Sequence, residues 1–283
     1  MDSNEKNSGT LYVCATPIGN LEDITLRVLR VLREVDIIAA EDTRHTRKLL
    51  SFYEISAQLT SYHEHNKAVA TVGLVQKLRE GLDVALVSDA GMPGISDPGQ
   101  ELIKACRENG IAVTVCPGAS AGIAGLVLSG ICCGRYVFEG FLPRGKKERR
   151  KILESLTAEK RTIVLYEAPH RLRDTLRDML ACLGDRQVAA VREITKKFEE
   201  VRKSSVADLI SHYDVDLPRG EFVLVIEGFA GEVGHCDDWP DDLNEHMELY
   251  TSTGHDEKGA MKMVAKDRGI PKSAVYSMLK IKK

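Results

Sequence analysis

Between Leu11 and Pro117 one pattern repeats, and it constrains the fold more than any other feature of the chain. LYVCAT, VDIIAAE, QLTSYH, DVALVSD and AVTVCP are short apolar runs. Between them lie ITLRVLRVLREV, TRHTRKLLSFY, KAVATVGLVQKLRE and ELIKACREN, segments with apolar residues at helical spacing. A strand that is apolar at consecutive positions needs cover on both faces. Strands joined through helices run parallel. The pattern predicts a parallel or mostly parallel sheet with helices on both sides, spanning residues 11–119. The polar residues 1–10, MDSNEKNSGT, precede it as a flexible terminus without the apolar stretch of a signal peptide.

The pattern changes after PGASAGIAGLVLSG. YVFEGFL, TIVLYEA, QVAAVREI and EFVLVIEG read as strands, with KERRKILESL, HRLRDTLRDMLACL and SVADLISHY as helices between them. These segments predict a second α/β domain over residues 120–230. A polar linker with Pro240 and a small helical tail occupy 231–283. The expected fold class is therefore α/β, two α/β domains plus a small C-terminal helical region.

Composition narrows the function. The chain is 43% apolar and 29% charged, with a formal net charge of −3. That balance builds soluble cores, and any nucleic-acid contact must come from a local basic patch rather than from bulk charge. The run Ala119 to Cys133 is too short to span a bilayer, so no membrane segment is expected. The seven cysteines include no CxxC pair and read as reduced, buried thiols of a cytoplasmic protein. No metal site is expected. His63 and His65 flank Glu64 on a strand, but no third ligand accompanies them.

The segment SDAGMPGISDPG stands at the carboxyl end of a predicted strand, where open α/β sheets bind ligands. It fits neither the phosphate loop GxxxxGK[ST] nor the dinucleotide fingerprint GxGxxG. Gly91 and Gly94 permit positive φ and close backbone approach, while Pro93 and Pro98 stiffen the loop. Ser88 and Asp89 supply polar groups at the strand end. Two readings fit: a ligand-binding loop, or a rigid turn in which Asp97 caps the following helix. TPIGN and CPGAS follow two further strands and would face the same edge. Ser120 is either a ligand hydroxyl or a helix cap.

Two basic runs stand out. EDTRHTRKLL carries Arg44, Arg47 and Lys48, and GFLPRGKKERRK carries Arg144, Lys146, Lys147, Arg149 and Arg150. Each is either a solvated face or a phosphate-contacting patch. YEAPHR and REITKK end two strands of the second domain and bring Glu167, Arg171, Arg192, Glu193 and Lys196 to their ends as active-site candidates.

Taken in order, ATPIGNLEDITLR, EDTRHTRKLL, YHEHN, SDAGMPGISDPG, PGASA, GFLPR, YEAPHR, REITK and GEFVLVIEG resemble the class III, tetrapyrrole-methylase-like methyltransferases. Within them they resemble the branch that methylates a cytidine 2′-hydroxyl of 16S rRNA in the small ribosomal subunit. The resemblance runs from about Leu11 to Gly228, and the tail also resembles that branch. Met92 stands where Thr is common and Ala119 where Pro is common. The resemblance implies S-adenosylmethionine (SAM) in a cleft between the two α/β domains. It implies contacts from Ile18, Asp89, Met92, Ser120 and Ala121 on one side and from Tyr166 and the segments near Arg192 and Glu221 on the other. It also implies a homodimer, for which AGIAGLVLSGICC offers a face, although the same segment reads equally well as core. Glu167, Glu193, Lys196 and Arg192 are the catalytic candidates, as base or as stabiliser of a developing alkoxide. The phosphate-contact candidates are the two basic runs with Arg171. A tetrapyrrole-directed methyltransferase and a non-catalytic RNA-binding module are the rival readings.

Overall fold

The computed structural model describes residues 8–231, 240, 242–252, 254–268 and 270–281. Most of the polar terminus and most of the linker, with Cys236, lie outside the described residues. Thr10 already belongs to the first strand, and its N–H donates to Asp83 Oδ1 at 2.6 Å.

The first sheet contains β1 (Thr10–Cys14), β2 (Ile37–Ala40), β3 (Gln58–Ser61), β4 (Val84–Val87) and β5 (Ala112–Cys116). All are parallel, in the order β3-β2-β4-β1-β5. The crossovers contain α1 (Leu26–Glu34), α2 (Thr43–Phe52), α3 (Lys67–Arg79) and α4 (Gln100–Glu108). The apolar strands have the expected cause. Ile37 and Ala39 of β2 face a core with Leu74, Leu78 and Leu102, while Ile38 and Ala40 face a second core with Val28, Leu32 and Leu50. Alternate side chains of one strand therefore feed two cores.

The second sheet holds β6 (Tyr136–Phe141), β7 (Thr162–Glu167), β8 (Gln187–Arg192), β9 (Glu200–Ser205) and β10 (Phe222–Ile226), in the order β6-β7-β10-β8-β9. Only the β6–β7 pairing is parallel. Strand β9 is not legible in the sequence, because EVRKSS has no apolar face and lies at the sheet edge. On one side α6 (Lys146–Ser155), α7 (Leu172–Leu183) and α8 (Val206–Val215) cover a core built on Ile163, Leu165, Val188 and Leu224. The other side is covered by α5 (Ala121–Leu128), whose Leu126 packs with Val164, Ala189 and Val223. A Cβ on Gly125 would lie 2.7 Å from Val223, so the small residues of this helix permit its close approach.

The described thiols are unpaired. Cys14, Cys106 and Cys116 are buried as expected, but Cys132 and Cys133 are exposed in the turn after α5, which corrects the reading of uniformly buried cysteines.

Residues 230–283 form a separate compact unit. Its helices are α9 (Leu243–Ser252), α10 (Glu257–Asp267) and α11 (Lys272–Ile281), packed through Met247, Ala260, Val264 and Val275. Buried His246 has Nε2 3.3 Å from Asp267 Oδ2, and Tyr250 donates to the same oxygen at 2.5 Å. Among the described residues no helix is long and apolar enough to cross a membrane.

Candidate active site

Within residues 8–229 the carboxyl ends of β1, β2, β4 and β5 and one edge of the second sheet meet around a cavity of about 310 Å³. The meeting follows from topology. Parallel strands present all their carboxyl ends on one edge. In the second sheet β10 is antiparallel to β7 and β8, with Phe222 beside both Glu167 and Arg192. The beginning of β10 therefore lies beside the ends of β7 and β8. Glu221, Tyr166 and Glu193 come to one rim for that reason.

The first wall is the loop after β4. Gly91 has φ 80° and pairs through both backbone groups with Thr16, at 2.9 and 3.0 Å. This ties the loops after β1 and β4 together and sets Ile18, Asp89, Gly91 and Met92 on the cavity. Asp89 Oδ1 accepts the N–H of Asp42 at 3.1 Å. Asp97 also lines the cavity instead of capping α4, whose N-cap is Gly99. Ser120 precedes α5 without a capping bond from its side chain and lines the cavity with Ala121.

The second wall is set by Tyr166, held edge-on between Phe138 and Phe141 with centroids at 5.0 and 5.4 Å. Its hydroxyl accepts the N–H of Gly122 at 2.8 Å, joining β7 to the start of α5. The loop after β8 carries Glu193 and Lys196, with Lys196 Nζ 3.1 Å from Glu193 Oε1. The loop after β1 clasps it: Asn20 N–H donates to Thr195 Oγ1 at 3.0 Å, and a Cβ on Gly19 would meet Lys196 Cγ at 2.7 Å.

Backbone strain gathers here. Ser96, Glu193 and Thr195 adopt φ of 64°, 51° and 66°. Such non-glycine positions cost energy and persist where surrounding structure enforces them.

Charge is unbalanced in the cavity. Glu41, Asp89, Asp97, Glu193 and Glu221 face it, against Lys196 alone among the lining side chains. Burial, together with the charges of Glu41, Asp89 and Glu221, pushes the Asp97 carboxyl up to about 7. Glu41 is raised too, chiefly by burial.

The structure separates the sequence candidates. Ile18, Asp89, Gly91, Met92, Ser120, Ala121, Tyr166, Glu193, Lys196 and Glu221 converge on the cavity. Several others do not. Glu167 is fully buried behind the wall, accepting from Thr175 Oγ1 at 2.5 Å and Ala168 N–H at 2.9 Å. Arg171 faces it at 3.3 Å and donates to the carbonyls of Leu142 and Pro143. That pair fastens the end of β7, so neither residue is free for catalysis or RNA. Arg192 is held by Glu200 at 2.5 Å, off the cavity. Ser88 is buried and donates to Gly91 O at 3.3 Å, bracing the loop from behind. Gly94, at φ 83°, sits over Gln100 and Ile103 rather than on the cavity wall.

The basic runs divide similarly. Arg149 is buried and grips Asp178 through Nε and Nη2 at 2.8 and 2.6 Å, with Arg150 on the other carboxylate oxygen at 2.9 Å. Arg149 is therefore a structural cation, and Arg150 is half engaged. Arg144, Lys146 and Lys147 are exposed, as are Arg44, Arg47 and Lys48. His63 and His65 have ring centroids 6.1 Å apart, and no cluster of three metal-ligating side chains occurs among the described residues.

Sequence reasoning passed over Glu41, Asp97 and Phe141 as cavity residues. Glu41 was findable: it ends β2, a parallel strand, on the ligand edge. Asp97 entered only as a possible cap in one of two readings of the loop, and Phe141 depends on the β6–β7 pairing.

Comparisons with known proteins agree with this geometry. The family model of the Tetrapyrrole (Corrin/Porphyrin) Methylases matches residues 10–210. Ribosomal RNA small subunit methyltransferase I of Halalkalibacterium halodurans is 47% identical over 274 residues, covering 96% of this chain and 95% of its own. The protein of that name from Bacillus subtilis is 47% identical over 283 residues, covering 99% and 97%. That from Escherichia coli O157:H7 is 43% identical over 277 residues, covering 97% and 96%. Among solved structures, a uroporphyrin-III-C-methyltransferase from Thermus thermophilus superposes with TM-score 0.57 at 23% identity, covering 77% of this chain and 94% of that one. Diphthine synthase gives TM-score 0.59 at 15% identity, covering 78% and 90%. These two likenesses bear on the fold alone. With a family match over residues 10–210 and relatives 47% identical over nearly its whole length, the chain belongs to the tetrapyrrole methylase family, among the ribosomal RNA small subunit methyltransferase I proteins.

Proposed function

We propose that the protein is a SAM-dependent methyltransferase of the small-subunit ribosomal RNA, acting on the 2′-hydroxyl of a cytidine in the decoding region of 16S rRNA. The observation that carries this reading is the cavity with five carboxylates and one lysine, in a chain so close to named rRNA methyltransferases. The residues present fit the donor. SAM carries a sulfonium and an ammonium, and the acid-lined cavity favours cations. Asp89 and Asp97 are suited to its ammonium or ribose hydroxyls. Ser120 offers a hydroxyl, and Ile18, Met92, Phe141 and Val223 offer apolar walls. The volume of about 310 Å³ lies at the lower end for small-molecule sites.

When bound, SAM supplies an electrophilic methyl group. The chain's own work is to hold the attacking oxygen in line and to manage its proton. Lys196 and Glu193 are the pair placed for this. The ammonium stabilises a developing alkoxide, and the carboxylate 3.1 Å away accepts a proton. The positive φ of Glu193 aims its side chain across the rim, where a Cβ on Gly220 would collide with it. Glycine at 220 thus leaves room for that carboxylate.

RNA approaches through exposed cations flanking the site, Arg44, Arg47 and Lys48 on α2 and Arg144, Lys146 and Lys147 at the start of α6. A homodimer in the cytoplasm is part of the proposal. Its face is α5, where Ile123 and Val127 are 48% and 68% exposed one turn apart. A mass of one chain by light scattering at micromolar concentration would contradict the dimer.

The test is a map of 2′-O-methylation on 16S rRNA from a deletion strain, complemented with wild type or with Lys196→Ala. Loss of one ribose methyl in the deletion, restored by wild type alone, is the expected result. An unchanged map, with methyl transfer to a tetrapyrrole by the purified protein, would favour the small-molecule reading instead.

A further inference from the structure

Helix α2 has a face that its packing does not use. Thr46, Leu49 and Leu50 are buried. Arg44, Arg47, Lys48, Ser51 and Phe52 line a shallow open groove on the other side. Phe52 is 61% exposed, and its ring meets Tyr53 edge-on at 4.9 Å. Exposure alone is common on this surface; what sets Phe52 apart is a flat ring open to solvent at the end of a row of cations. Among the described residues, neither Arg47 nor Lys48 enters an ion pair, whereas Arg44 is tied to Asp42 at 2.7 Å.

The position of this face matters as much as its composition. Glu41, immediately before the helix, lines the cavity, and the N–H of Asp42 donates to the cavity residue Asp89. The helix therefore starts at the cavity rim and leads away from it. Arg44 to Phe52 is eight residue-to-residue steps, about 12 Å of helix at 1.5 Å per residue. At about 3.4 Å per stacked nucleotide, that is three to four nucleotides. Cations that follow a backbone, ending in an aromatic face, are the parts of a single-strand platform.

We propose that the exposed face of α2 is a track for single-stranded RNA, on which Arg47 and Lys48 hold phosphates and Phe52 stacks an unpaired base three to four nucleotides beyond the one that passes Arg44. This rests on the RNA reading above and adds to it a base-stacking contact. Stacking and phosphate contact differ in their response to salt. Only phosphate contacts release counterions, so only they set the slope of log K against log salt.

The experiment is equilibrium binding of an unmethylated 16S rRNA transcript and of purified 30S subunits, across a salt series, with SAM affinity measured in parallel. Phe52→Ala should weaken both RNA affinities about 5- to 150-fold with the slope unchanged. Phe52→Trp should restore binding. Arg47→Gln and Lys48→Gln should each flatten the slope by about 0.7. SAM affinity should stay at the wild-type value in all four, which also certifies the fold. Wild-type affinity of Phe52→Ala for both probes overturns the stacking platform. Loss on 30S subunits but not on the transcript overturns it in favour of a ribosomal-protein contact. If wild type itself has no salt-dependent affinity for either probe, the RNA reading fails first, and this proposal with it.

Discussion

Two strand ends of this molecule carry acids, one fully buried and one half-buried on a cavity, and they are built to opposite rules. At the end of β7, Glu167 is fully buried, but Thr175, the Ala168 N–H and Arg171 satisfy it. At the end of β4, Asp89 and Asp97 stand with Glu41 and Glu221 around a cavity, and the only lining cation is Lys196. The first arrangement is complete without a ligand. The second concentrates like charge in a half-buried site; burial, and then that charge, raises the Asp97 carboxyl to about 7, and a cation is left to be supplied from outside. Arg149 with Asp178 repeats the first rule, and Arg47 and Lys48 of α2 repeat the second. Compensated charge is structure at these two pairs, whereas the site combines one paired cation, Lys196 with Glu193, with an excess of unpaired carboxylates.

The comparison breaks most visibly where a compensated pair is cut. Arg149→Ala leaves Asp178 buried with only the half-exposed Arg150. The expected cost is about 3–5 kcal/mol, read by denaturant unfolding. A loss below 1 kcal/mol would mean that the pair is not structural. Asp89→Ala belongs to the other class. It should leave the fold standing and weaken SAM binding by about 1.5–3 kcal/mol, roughly 10- to 150-fold by calorimetry. Unchanged affinity in a folded variant would remove Asp89 from the site.

Asp97→Asn sharpens the comparison through pH. The folded carboxyl is raised from 3.8 to about 7, so the wild type loses stability as pH rises through that window. The variant loses none there. Without ligand, Asp97→Asn should therefore be more stable than wild type at pH 8, with a smaller advantage at pH 5. Solvent screening of this partly exposed group limits the gain to on the order of 1 kcal/mol, about 2–4 °C in Tm. Equal melting curves at both pH values would show that neither burial nor the neighbouring carboxylates raise the Asp97 carboxyl. The smallest effect is expected at α6, where Lys146→Gln with Lys147→Gln should change stability by less than about 0.5 kcal/mol. The salt slope of RNA binding should flatten by about 0.7 for each lysine that touches phosphate. An unchanged slope would assign both lysines to a solvated face.

Much of this was legible because it depends on local pattern. Apolar strands alternating with amphipathic helices give the first sheet, and strand-end loops mark the ligand edge before any partner is known. What stayed hidden depends on contacts between distant segments. Edge strand β9 has no apolar pattern of its own, and the sequence of α5 does not show that Gly125 serves the approach to Val223 while Gly122 faces Tyr166 and Phe138. Glu167 and Arg149 resembled site residues because a sequence shows charge but not its partner. Thr175 and Asp178, which complete them, lie one or more helical turns away in sequence or on another helix. Asp97 was ambiguous for the converse reason: Asp-Pro-Gly before a helix is also a capping pattern, and only the fold brings Glu41, Asp89 and Glu221 toward it.

The most direct test is the pH dependence of donor binding between pH 5.5 and 7.5. SAM should be compared with S-adenosylhomocysteine, which has the same amino and carboxyl groups but no sulfonium charge. A cation in the cavity favours the ionised form of Asp97, so SAM should bind more tightly as pH rises and should displace a proton at the lower end. The dependence should be weaker for S-adenosylhomocysteine and lost for both in Asp97→Asn. Affinities that do not change with pH in the wild type, or identical profiles for the two ligands, would contradict the claim that uncompensated carboxylates make this cavity a site for a cationic methyl donor.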